Sequence, residues 1–164
     1  MKSMNDLLLS FVQDVYYAER QILKALPKMA KASENEQLKK ALMEHREETQ
    51  GHVERLQQVF EMLGKRARGQ TCEAINGIVE EGDEVVHEFE LGAVRDAGIL
   101  ANAQAVEHYE MARYGTLVAW AKACGMNDAA KILQQTLDEE KKADTLLNQI
   151  ANSTLNKQAT QKAA

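Results

Sequence analysis

Four stretches of this chain place an apolar residue at every third or fourth position over several turns. Each of these stripes is interrupted in its middle by ionisable side chains. A stripe of that period is the core-facing side of an amphipathic helix. The first runs Leu8, Phe11, Val12, Val15, then Glu19, then Ile22, Leu26 and Met29. The second runs Leu38, Leu42, His45, Thr49, His52, Leu56, Val59 and Leu63, with Glu48 beside Thr49. The third passes from Leu100 and Ala103 through Glu107 and Glu110 to Tyr114, Leu117 and Ala121. The fourth passes from Ala130, Leu133 and Leu137 through Glu140 and Asp144 to Leu147. With one proline, Pro27, and nine glycines in 164 residues, few points exist at which such helices could break.

The stripes and their punctuation predict helices over 5–31, 33–63, 96–124 and 127–151. Ser33 with Glu36 three residues on reads as a capping box, Gly64 as a C-terminal stop, and Asp96 as an N-cap. Pro27 should kink or tighten the last turn of the first helix. Very short connections join the first helix to the second and the third to the fourth, so each pair is an antiparallel hairpin. Between the hairpins, residues 71–91 are themselves helix-like and look broken near Gly82. Two hairpins and a helical crossover make an all-α, ferritin-like four-helix bundle. The expected domain is 1–152, followed by a polar tail, 153–164, that frays.

Twenty Lys+Arg against 25 Asp+Glu give a net charge of -5, which counts against a nucleic-acid partner. The short basic run Lys65-Arg66-Ala67-Arg68 reads as a solvated turn. No run approaches 18 consecutive apolar residues and no secretory signal opens the chain, so the expectation is a cytoplasmic protein without a membrane partner. Cys72 and Cys124 read as small apolar residues. Leu9, Val118 and Trp120 lie off the core stripes and leave room for a homodimer face.

Helices of an antiparallel bundle meet at their middles. Glu19, Glu48, His52, Glu107, Glu110, Glu140 and Asp144 would then share one level of the core. Burying a single ionised carboxylate is strongly unfavourable, and six together must bind protons or metal. Two cations would offset most of the charge, and oxygen donors with one imidazole suit iron or manganese. The pairs Glu48/His52 and Glu140/Asp144 are four apart and Glu107/Glu110 three apart, which puts each pair on one helical face. A lone glutamate in a stripe is more often a boundary residue with a solvated head. The same interruption on all four helices argues for a site. His45 reads as a core histidine or a partner of a ligand, and Tyr114 as a hydrogen-bond donor to a ligand carboxylate. His87 and His108 read as surface residues. The residues leave open a two-metal centre, a metal-free helical scaffold, and a site that sequesters metal without turnover.

Several strings resemble the YciF/YciE-type ferritin-like proteins: Ala18-Glu19-Arg20-Gln21, Glu48-Thr49-Gln50-Gly51-His52, Val106-Glu107-His108-Tyr109-Glu110, Tyr114-Gly115-Thr116-Leu117 and Glu139-Glu140-Lys141-Lys142-Ala143-Asp144. The resemblance spans about residues 4–155. It implies a rubrerythrin- and bacterioferritin-like bundle with a carboxylate di-iron site, two iron ions per chain (or manganese), homodimers and a role in bacterial stress. The resemblance implies Glu19, Glu48, Glu107, Glu110, Glu140 and Asp144 as metal-ligand candidates; the stripe reading adds His52 as a ligand and would leave Glu110 bridging, switching or additional. The chain departs from the Glu-x-x-His spacing usual on ferritin-like ligand helices: His52 follows Glu48 by four, and Asp144 stands where a second histidine would be. No Cys-x-x-Cys pair is present, so the electrons for a redox reaction with oxygen or peroxide would come from a separate, unknown donor.

Overall fold

The computed structural model describes residues 1–161. Six α-helices follow in order: α1 (Met4–Ala32), α2 (Glu36–Met62), α3 (Glu73–Glu88), α4 (Ala93–Ala123), α5 (Asn127–Ile150) and α6 (Asn156–Gln161), the last two joined by a π-helical turn, Ala151–Leu155. The helices α1 and α2 form one hairpin and α4 and α5 the other. The bundle closes through α2 against α5 and α1 against α4, while α3 lies across α4 and α1. This is the expected two-hairpin bundle with a helical crossover. No helix of the described residues is long and apolar enough to cross a membrane.

Helix ends show where local rules hold and where tertiary contacts replace them. Gly64, with φ of 64°, follows α2, and the Lys65 N–H donates back to the Phe60 carbonyl at 2.9 Å. Gly125, with φ of 75°, ends α4 in the same way, and Met126 N–H reaches the Ala121 carbonyl at 2.8 Å. Both are left-handed C-terminal caps, which glycine adopts without steric cost. The capping box lies at Ser3 and Asp6 rather than at Ser33 and Glu36. Ser33 ends α1, its hydroxyl donating to the Met29 carbonyl at 2.8 Å, and Asn35 caps α2. Asp96 is not the N-cap of α4, which begins after Gly92. Its buried carboxylate accepts from Glu34 N–H at 2.9 Å and Asn35 N–H at 2.7 Å, so it satisfies donors at the start of α2 and ties the two hairpins together.

Gly82 does not break α3. It is buried, and a Cβ there would lie 2.4 Å from Asn102 Oδ1. Gly98 on α4 faces Val85 in the same way, at 2.5 Å. The two glycines let α3 and α4 approach closely, and Asn102 uses the space to donate to the Ile78 carbonyl at 2.7 Å. Helical structure continues past residue 152, where the fraying tail is expected to begin. Leu155 is fully buried, and α6 returns against α4. The expected fraying of 162–164 falls outside the described residues.

The apolar core is in two parts. One contains Leu8, Val12, Leu56, Phe60, Leu117 and Leu133, the other Ile22, Leu26, Leu38, Leu42, Ile99 and Leu147. Burial of each such side chain contributes about 1.5–3 kcal/mol. Val118 is buried within the first part, and Leu9 and Trp120 are half-buried against it. The exposed large apolar side chains include Phe89, Leu91 and Val94, around the turn from α3 to α4. Between the two core parts lies a layer of ionisable groups.

Candidate metal centre

The layer is built from the stripe interruptions. Glu19 comes from α1, His45 and His52 from α2, Glu107 and Glu110 from α4, and Glu140 from α5. All six are buried, with Glu19, His52, Glu110 and Glu140 at 0% exposure. They form two groups whose donor atoms all lie within 4.8 Å of one another. One is His45, Glu107, Glu110 and Glu140, and the other is Glu19, His52 and Glu140. Glu140 belongs to both. Each group could hold a metal ion.

Nine buried donor atoms in these six side chains make no hydrogen bond, among them both oxygens of Glu110, both oxygens of Glu140 and both nitrogens of His45. Buried polar groups are almost always paired, and each orphan costs about 1–3 kcal/mol. The atoms do approach one another. His52 Nδ1 lies 3.0 Å from Glu140 and 3.3 Å from Glu19, and His45 Nε2 lies 3.2 Å from Glu107 and 3.7 Å from Glu140, without hydrogen-bond alignment. A set of unpaired oxygen and imidazole donors converging in a dry core fits metal coordination.

Electrostatics point the same way. Burial, reinforced by the neighbouring carboxylates, pushes Glu107 and Glu110 well above the usual carboxylate range. Burial also raises Glu140, although His52 beside it pulls the other way. Burial opposes charging of His52, but Glu19 and Glu140 outweigh it and hold its pKa at about 11. Burial likewise opposes charging of His45, and Glu107 and Glu48 outweigh it. Without a cation, therefore, these carboxylates and imidazoles hold their protons to higher pH than such groups ordinarily do.

The surroundings orient the donors. Tyr114, fully buried, donates its hydroxyl to Glu19. Arg55 makes a two-pronged pair with Glu139, at 2.7 and 2.8 Å, and a further bond to Thr136 at 2.9 Å. Glu139 then takes His52 Nε2 at 2.9 Å. Burial resists the charge on Glu139, but Arg55 and His52 more than compensate and keep its pKa low. An ionised carboxylate can only accept, so the proton sits on Nε2, leaving Nδ1 turned towards Glu19 and Glu140. A carboxylate behind a histidine, fixing its tautomer and ring plane, is the usual support for a metal-binding imidazole.

Of the seven residues singled out in the sequence, five meet in this layer: Glu19, His52, Glu107, Glu110 and Glu140. Glu48 stands outside the two groups, its side chain 49% exposed and its carboxylate 3.6 Å from His45 Nδ1. Asp144 also stands outside them, 3.1 Å from His108 Nε2 and bonded to Asn148 at 3.2 Å. His45, read as a core histidine or a ligand's partner, is in the first group, which makes the layer richer in imidazole than the expected set. The sequence did carry a signal for it. His45 lies seven residues before His52, two helical turns along one face. Glu139 and Arg55 carried no stripe signal, because both sit at the edge of the buried face.

Residues 3–160 match the family described as Domain of unknown function (DUF892). Over 164 residues the chain is 43% identical to Protein YciF of Escherichia coli (strain K12), covering 99% of each chain. The crystal structure of the E. coli stress protein YciF superposes with a TM-score of 0.91 at 43% identity, over 96% of this chain and 99% of that one. YcfI of Rhodopseudomonas palustris, for which a structural role has been put forward, superposes with a TM-score of 0.88 at 52% identity, over 90% of this chain and 94% of that one. A protein from Xanthomonas campestris shares the fold alone, with a TM-score of 0.80 at 20% identity, over 99% of this chain and 100% of that one. The helical bundle, its ionisable layer and these likenesses agree: the chain belongs to the DUF892 family of YciF-like proteins.

Proposed function

We propose that the chain is a two-metal carboxylate protein of a bacterial stress response, holding two iron ions (manganese fits the same donors) and redox-reactive towards oxygen or peroxide. The nine orphaned donor atoms carry this reading. Glu19 and His52 would hold one cation, His45, Glu107 and Glu110 the other, and Glu140 would be shared. Bound iron would supply the electrons that reduce an O–O bond. The chain's own part is positional. The two core parts exclude water above and below the layer, Tyr114 fixes Glu19, and the Arg55–Glu139 pair fixes His52. The same reading makes the protein a cytoplasmic homodimer that draws on a separate electron donor.

The test is an anaerobic ferrous titration followed by peroxide. The reading requires about two irons per chain and repeated peroxide consumption when a reductant is present. Consumption that stops at the stoichiometric amount would make the protein a metal store. A metal-free scaffold is a second reading, favoured by the pairing of His52 with Glu19 and Glu140, which offsets part of the buried charge without any cation. The structural role put forward for YcfI points the same way. No iron uptake would establish the scaffold.

A further inference from the structure

An opening into the layer lies between α2 and α5. There a cavity of about 110 Å³ runs inward from the surface. Its rim carries Glu44, Glu48 and Lys142, its walls include Leu42, Leu146 and Leu147, and its floor is His45 and Glu107. His45 is 5% exposed, Glu107 2%, and both His45 nitrogens lack a hydrogen bond. A second cavity, between α1, α3 and α4, also ends at Glu107, but at about 20 Å³ it is little larger than one water molecule.

We propose that the α2–α5 cleft is the route by which a divalent cation enters the layer, with Glu48 as the outer carboxylate that receives it and His45 as the donor that passes it inward. This rests on the two-metal reading. The donors follow one another along the cleft: Glu48 lies 3.6 Å from His45 Nδ1, while His45 Nε2 lies 3.2 Å from Glu107 and 3.7 Å from Glu140. A cation moving inward would exchange one protein donor for the next without crossing an apolar gap. On the rim, Glu44 pairs with Lys40 at 3.6 Å, whereas Glu48 has no lysine or arginine within 4 Å among the described residues. The carboxylate placed to meet an arriving cation is therefore Glu48. The cavity's apolar walls strip little hydration by themselves, so an acidic residue at the mouth is what raises the local cation concentration.

The experiment is stopped-flow uptake of cobalt(II) alone by chelator-treated, full-length protein, read from the cobalt absorption bands, with equilibrium stoichiometry measured in parallel. Glu48→Gln and the plugging variant Ala143→Leu are compared with Glu47→Gln, an exposed carboxylate on the same helix outside the cleft. The proposal predicts that Glu48→Gln and Ala143→Leu slow uptake by about fivefold or more at unchanged stoichiometry, while Glu47→Gln loads at the parent rate. Parent-like rates in both cleft variants would overturn it. Equal slowing by Glu48→Gln and Glu47→Gln would also overturn it, because the effect would then be one of general surface charge. Loss of a bound cobalt in Glu48→Gln would make Glu48 a resident ligand rather than a gate. If the parent itself binds no cobalt, the two-metal reading fails and the route fails with it.

Discussion

His45 and His52 stand two turns apart on one face of α2, yet their outer nitrogens meet different neighbours. Behind His52, Glu139 lies at 2.9 Å and is itself gripped by both prongs of Arg55. Behind His45, Glu48 lies at 3.6 Å, half exposed. One imidazole is locked in tautomer and orientation, and the other opens onto a cleft. A centre built this way has a fixed half and an accessible half. Rigidity serves affinity, whereas access serves exchange with solvent, and a single symmetric site could not favour both.

The largest effect should come from the residue common to both halves. Glu140→Gln is expected to weaken both cations by more than about 100-fold, since even a supporting residue costs about 10–100-fold. Glu107→Gln should weaken only the cation on the His45 side. Equal loss at both positions in an anaerobic titration of Glu107→Gln would erase the distinction between the halves. Next comes the clamp: Arg55→Ala should lower affinity on the His52 side by about 10–100-fold and leave the loading rate through the cleft unchanged. A variant that changed rate and not affinity would reverse the assignment.

Stability should move in the opposite direction to binding. Glu110 is fully buried with neither oxygen bonded. Glu110→Leu should therefore stabilise the metal-free protein by about 1–3 kcal/mol while weakening metal binding. Thermal melting with and without metal checks both. The metal-free protein should also respond to pH. His52 has a raised pKa, so the stability it adds is complete below 6.5 and is lost as pH rises through about 11. Glu107, Glu110 and Glu140 also hold protons above their usual 4.5, so the folded chain binds more protons than the unfolded one as pH climbs from that value. Both contributions make metal-free stability fall as pH rises, the carboxylates from about 4.5 upward and His52 between 6.5 and about 11. Bound cations displace those protons, so the metal-loaded protein should show a flatter profile or the opposite slope.

Much of this was legible in the sequence because the governing signal is periodic. Glu19, Glu107 and Glu140 interrupt apolar stripes, and a stripe fixes both the helix and the face it buries. Asp96 shows the limit. Its residue type announces a cap, but only the tertiary fold reveals that it binds the turn leading into α2 rather than the start of its own helix. Gly82 is similar: glycine reads as a break, and here it is the gap that admits Asn102. Within the site, Glu48 and Thr49 are adjacent and differ by about 100° around the helix. Thr49 takes the buried direction and Glu48 the rim of the cleft. The stripe's spacing already contains Thr49; Glu48 enters the ligand set on its chemistry and on the resemblance, and the structure follows the spacing. Spacing could not find Arg55 and Glu139, whose partnership joins residues 84 apart in sequence.

On the two-metal reading the buried layer holds two cations, one on each side of Glu140. Anaerobic ferrous iron titrated into chelator-treated protein tests it most directly, with bound and free metal separated by dialysis. Saturation is expected at about two irons per chain, falling to about one in Glu107→Gln. An absence of uptake, or full uptake in Glu140→Gln, would contradict it.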